Sequence, residues 1–207
     1  MKTNSLYSRP GSCALAILAA LVAAALAGCG GSADIEITSY KDPYFPEPLR
    51  VVFKNGSYWR AADQDVHAIS ERETIDEMTD EVIRQYLYVV LYWRPNPGRS
   101  FDDPTQANAL YHYVVASEKG VATYVGTGFA YPDGQPGQTL DIALESATLR
   151  LESTTGEIPE VLGEMTLTGT MRATADQAAA GARIRALERT TNRGFLKVTA
   201  PRPAART

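Results

Sequence analysis

A mainly β fold, an antiparallel β-sandwich or open barrel of about eight strands with one or two short helices, is predicted by three features of this 207-residue chain. Segments of alternating apolar and polar residues recur roughly every ten positions, and turn-forming Gly, Asn, Asp and Pro stand between them. No regular strand–helix–strand alternation calls for a parallel sheet. One β-rich domain over 34–199 is expected, with a disordered tail at 200–207.

Ahead of that domain, Lys2 and Arg9 precede a fifteen-residue apolar run, Cys13 to Ala27, which ends in small residues. This is the three-part order of a secretory signal peptide, residues 1–28. Fifteen helical residues span only about 22 Å, short of the roughly 30 Å hydrocarbon core, so the signal helix is too short for a lasting membrane span. The run closes on Leu26-Ala27-Gly28-Cys29, which resembles the lipobox of bacterial lipoproteins: an aliphatic residue, two small residues and the cysteine. The resemblance covers the leader alone. It implies diacylglyceryl on the Cys29 thiol, cleavage before Cys29, acylation of the new amine and no thiol left for a disulfide, nucleophile or metal. Several acyl chains together give stable attachment, because each buried methylene adds about 0.8 kcal/mol. Gly30 stands where the enterobacterial sorting rule would need aspartate for inner-membrane retention, which favours the outer membrane.

Residues 29–33 form a lipidated tether in this reading, and Asp34 to Tyr40 alternates as a half-buried strand with Ile35 and Ile37 on one face. Pro43, Pro46 and Pro48 keep the next stretch extended. Leu49–Lys54 and Ser57–Ala61 flank Asn55-Gly56, the dipeptide of type I′ turns, and predict a hairpin. Between Ala62 and Asp80, Thr74 and Glu77 stand at capping-box spacing before Met78, Val82 and Ile83, which predicts a short helix. Arg84 to Arg94 is apolar or aromatic at both parities and suits a strand covered on two sides. After a proline-rich loop, Ala109–Ser117 and Val121–Tyr131 predict a second hairpin through Glu118-Lys119-Gly120. Leu140, Ile142 and Leu144 alternate, then Leu149 and Leu151 resume on the opposite parity, so a bulge is expected near Ser146. Met165 and Leu167 alternate with threonines in a strand with one wet face. Ala175–Glu188 has helical spacing, with Arg183, Arg185 and Arg189 on its polar side. Gly194–Thr199 closes the series as a short strand.

Without Lys2 and Arg9 the formal charge moves from −4 to −6. Residues 30–171 hold ten Lys or Arg against 22 Asp or Glu, while 172–207 hold eight against two. An acidic body argues against nucleic acid as partner, since phosphate binding needs a basic face on the domain itself. The basic tail is expected to meet anionic lipid, acidic glycan or, first of the three, that acidic body.

No pattern in the domain specifies catalysis, and no cofactor or metal is expected. His67 and His112 are the two imidazoles, His112 lying in a strand beside Tyr111 and Tyr113, and no Gly-x-Ser-x-Gly elbow accompanies them. A His-Glu-x-x-His helix is absent. Asp63 and Asp65 open like an EF-hand loop, with Glu71, Glu73 and Asp76 nearby, but His67 and Ala68 occupy positions that need an oxygen ligand and a glycine. Asp102-Asp103 and the Asp76–Glu81 group offer carboxylates whose separation decides glycoside chemistry. Tyr86, Tyr88, Tyr92, Trp93, Tyr111, Tyr113 and Tyr124 suit core and rim packing, or an exposed row for sugars or a protein. The expected function is thus a non-enzymatic binding or structural role for an envelope lipoprotein, its partner an envelope protein or a glycan. The alternatives are a periplasm-facing hydrolase, acting through carboxylates or His112, and a small carrier of lipid or apolar ligands.

Overall fold

The computed structural model describes residues 31–41, 47–62, 65–92, 107–156 and 162–191. Eight strands run in chain order: β1 (Gly31–Ser39), β2 (Glu47–Arg60), β3 (Val66–Ile75), β4 (Val82–Leu91), β5 (Ala109–Ser117), β6 (Gly120–Asp133), β7 (Thr139–Gly156) and β8 (Met165–Ala175). One helix among the described residues, α1 (Gln177–Thr191), follows. Of the two arrangements expected, the barrel is the one formed, and its sheet closes rather than staying open.

Each strand pairs antiparallel with the next, and β8 returns to β1 with Met165 opposite Ser39 and Arg172 opposite Ser32. Closure gives the first strand a partner on each side, so no described strand is terminal as in an open sheet. Alternation decides which side chains enter. Ile35, Ile37, Val51, Phe53, Leu87 and Val89 point into one core with Tyr111, Tyr113, Tyr124, Met171 and others, nearly all below a twentieth exposed. Phe53 meets Tyr113 edge to face at 6.5 Å, and Tyr113 lies 6.2 Å from Tyr124. Burial pushes the Tyr111 and Tyr113 phenols upward and keeps them neutral. The Tyr111 hydroxyl donates to the Phe129 carbonyl at 2.5 Å.

The first strand starts at Gly31, with Ala33 already buried, so residues assigned to the tether are part of the sheet. The predicted hairpin at Asn55-Gly56 does not form. Asn55 has the positive φ, 59°, that the turn requires at its first position, but the chain continues through one long strand as a bulge. In β2, Lys54 faces Glu71 and Ser57 faces Ile69, leaving Asn55 and Gly56 opposite Ser70 alone. Gly56 is required by close approach, since a Cβ there would stand 2.3 Å from the Arg172 carbonyl oxygen.

The short helix near Thr74–Ile83 is also overturned. Thr74 and Ile75 are the last residues of β3, and β4 begins at Val82. Asp76 takes the capping role in a turn instead: its Oδ1 accepts the Met78 and Thr79 amides at 2.8 and 3.2 Å, and Asp80 adopts φ 56°. The β-branched Val82 and Ile83 then pair with Ile75 and Thr74. The β5–β6 hairpin stands where expected, and the register of β7 slips between Leu144 and Ala147 with Ser146 at φ 51°. Cys29, Asp63, Trp93, Asp102, Asp103, the Gly194–Thr199 strand, the 200–207 tail and the signal helix lie outside the described residues.

Candidate functional site

Helix α1 lies on the outside of the barrel because one stripe of it is apolar. Ala180, Ile184, Leu187 and Thr191 are buried, at offsets of four, three and four residues. Asp176 starts the helix, its Oδ1 accepting the Ala179 amide at 2.9 Å. The stripe covers the outward residues of the middle strands, Ile69, Tyr86, Tyr88, Val90 and Val114. This explains why β4 reads as apolar at both parities: Leu87, Val89 and Leu91 face the interior while Tyr86, Tyr88 and Val90 face the helix.

Both imidazoles belong to this outer layer. Trp59, His67, Tyr88 and His112, from four adjacent strands, form a ring ladder with centroid distances of 4.7, 6.1 and 5.4 Å. His67 Nδ1 and Tyr88 Oη share a buried hydrogen bond at 2.6 Å. Burial raises the Tyr88 phenol, with Tyr92, Glu188 and Asp65 adding to the effect, and burial alone lowers His112 to about 4. Tyr88 and His112 are therefore uncharged at neutral pH and act as wall. The seven aromatic residues singled out in the sequence divide between barrel interior and helix interface, with Tyr92 exposed and Trp93 outside the described residues.

Several acidic residues are engaged in ion pairs. Glu71 accepts from Arg183 Nε at 3.2 Å, and Arg183 also donates to the Ser57 hydroxyl at 2.6 Å, tying α1 to β2 and β3. Glu73 accepts from Arg84 Nε at 2.8 Å, and Asp34 holds Arg50 through both oxygens. Glu81 meets the Lys119 ammonium at 2.8 Å, linking the β3–β4 and β5–β6 turns. Hydrogen bonds from Lys119 and Ser117 hold its carboxyl down to about 2. Among the described residues, no group of three or more His, Cys, Asp or Glu is gathered as a metal site.

One concavity among the described residues was missed by the sequence analysis. A groove of about 1070 Å³ runs along the outer wall between β2 and β3 beside α1. Arg50, Val52 and Lys54 line one bank, Glu71 to Thr74 the other, and Arg84, Tyr86 and Ala186 the head. It exists because pairing between β2 and β3 stops at Lys54–Glu71. Proline and exposed apolar residues in β2 were its signal, but the expectation of a helix over Thr74–Ile83 hid the second bank. No protein-family model, curated protein or solved structure matches the chain.

Proposed function

We propose that this protein is a bacterial envelope lipoprotein with a non-enzymatic binding or structural role, held on a membrane by acyl chains on Cys29. The observation that carries this reading is the order of the first 29 residues: basic start, apolar run, and Leu26-Ala27-Gly28 before the cysteine. Gly30 favours the outer membrane. A partner meets the outer surface, because the inward positions of the barrel are filled by the protein's own side chains. The pairing of Glu71, Glu73, Asp34 and Glu81 with basic residues supports a non-enzymatic role over carboxylate hydrolysis.

Metabolic labelling with a palmitate analogue tests the anchor. The wild type is expected to carry label and partition into detergent, and Cys29→Ser to do neither while keeping the same unfolding midpoint. Equal labelling of the two proteins would sink the proposal.

A further inference from the structure

We propose that the groove between β2 and β3 is a strand-addition site that receives an extended, acidic segment of a partner protein. This deepens the binding role proposed above by naming the chemistry of the partner. Residues 47–53 of β2 are laddered to β1, and residues 72–75 of β3 to β4, but β2–β3 pairing begins only at Lys54–Glu71. Continued register would set Val52 opposite Glu73 and Arg50 opposite Ile75; a groove of about 1070 Å³ occupies that space instead. Two strand edges thus face each other across the opening. On each, alternate residues direct backbone N–H and C=O groups away from the existing ladder. Such paired edges are a template for an inserted strand, whose main chain would complete both ladders.

Two independent features specify the occupant. Val52, 47% exposed, lines the groove, and Ile75, 63% exposed and on the same outward side, continues the β3 edge beyond it. They offer apolar contact to alternate side chains of the guest. The charge of the opening is basic on an acidic body: Arg50, Lys54, Arg72 and Arg84 line it against Glu71 and Glu73. Arg50 and Arg84 are matched by Asp34 and Glu73, and Glu71 by Arg183. Lys54 and Arg72 have no ion-pair partner among the described residues: Lys54 stands on the outward side for the guest to meet, and Arg72, opposite Gln85 and acting on Tyr113, adds positive charge from the inner side of the opening. A guest alternating apolar and acidic residues satisfies both. The chain's own residues 192–207 carry four basic residues and no acid, so they are the wrong sign.

The test uses the full-length protein, wild type and Cys29→Ser, with two fluorescent peptides of about nine residues, a usual strand length. One alternates valine with glutamate, the other valine with lysine. The glutamate peptide is expected to bind and to slow amide exchange in residues 47–53 and 72–75. The double variant Lys54→Glu/Arg72→Glu should weaken it by about tenfold and favour the lysine peptide. Lys54→Glu alone, at an exposed position, should shift affinity the same way in part if the double variant folds poorly. Equal binding of both peptides, no binding, or binding without protection of those amides overturns the proposal. So does protection present before any peptide is added, whether abolished by deleting 192–207 or dependent on protein concentration. Because binding is read on Cys29→Ser as well, failure of the anchor and failure of the groove are distinguishable.

Discussion

Burial holds the His112 imidazole at about 4, against 6.5 when free, so over that interval the unfolded chain binds a proton that the folded chain refuses. Stability is therefore complete above about pH 6.5 and falls as pH drops to about 4, by about 3 kcal/mol for this one group. Glu81 acts lower down: held at about 2 against 4.5, its contribution is present above pH 4.5 and is lost as pH falls toward 2. The two windows barely overlap, and a substitution separates them. His112→Phe keeps a ring against Tyr88 and removes the titration. Urea unfolding midpoints followed from pH 7 to pH 3 should lose the upper slope in this variant and keep the lower one. An unchanged slope between 6.5 and 4 would mean that His112 is protonated in the fold.

At the scale of elements, closure of the barrel depends on how near β8 can come to β1. Gly169 sits opposite Ile35 with φ 146°, and a Cβ there would stand 2.3 Å from the Asp34 carbonyl oxygen. Backbone cannot retreat as a flexible side chain can, so Gly169→Ala should either strain the residue or push the two strands apart. A loss of about 3 kcal/mol is expected in urea unfolding, with faster amide exchange in Ile35 and Ile37 than in β5. Exchange that quickens equally in all strands would place the damage elsewhere. The same contrast between local and distant causes explains what was legible in the sequence. Alternation in β1 and β8, and the parity change near Ser146, are consequences of one burying face, while the apolar run of β4 at both parities follows from two, and the sequence carries each residue by residue. Asn55-Gly56 and Thr74–Glu77 are local signals as well, yet they lost to partners far along the chain: β1 on one side of β2, and Val82 and Ile83 pairing back to Thr74 and Ile75. The groove was only partly legible for the same reason, since it marks where the β2–β3 ladder ends.

Among the described residues, the barrel keeps its buried apolar side chains inside or beneath α1 and carries ion pairs on its outer wall, with Arg50–Asp34, Arg84–Glu73, Arg150–Glu164 and Arg172–Asp141 spread over it. Barrels that cross a bilayer present the reverse, an apolar belt outward. An interior of this kind is a core or a ligand cavity, according to how fully it is filled, and here large rings fill it. Phe53, Tyr111, Tyr113 and Tyr124 are each at most 1% exposed and interlock across the barrel. Tyr113→Ala would remove a ring that touches both Phe53 and Tyr124, at a cost of about 4 kcal/mol including the void left behind. An apolar void of that size stays dry and accepts a benzene-sized guest. The expected outcome is therefore paired: the wild type takes up neither benzene nor a fluorescent fatty acid, while Tyr113→Ala regains stability on addition of benzene. Stoichiometric fatty-acid uptake by the wild type would instead make the interior a carrier's cavity and shift the partner from the outer wall to the lumen.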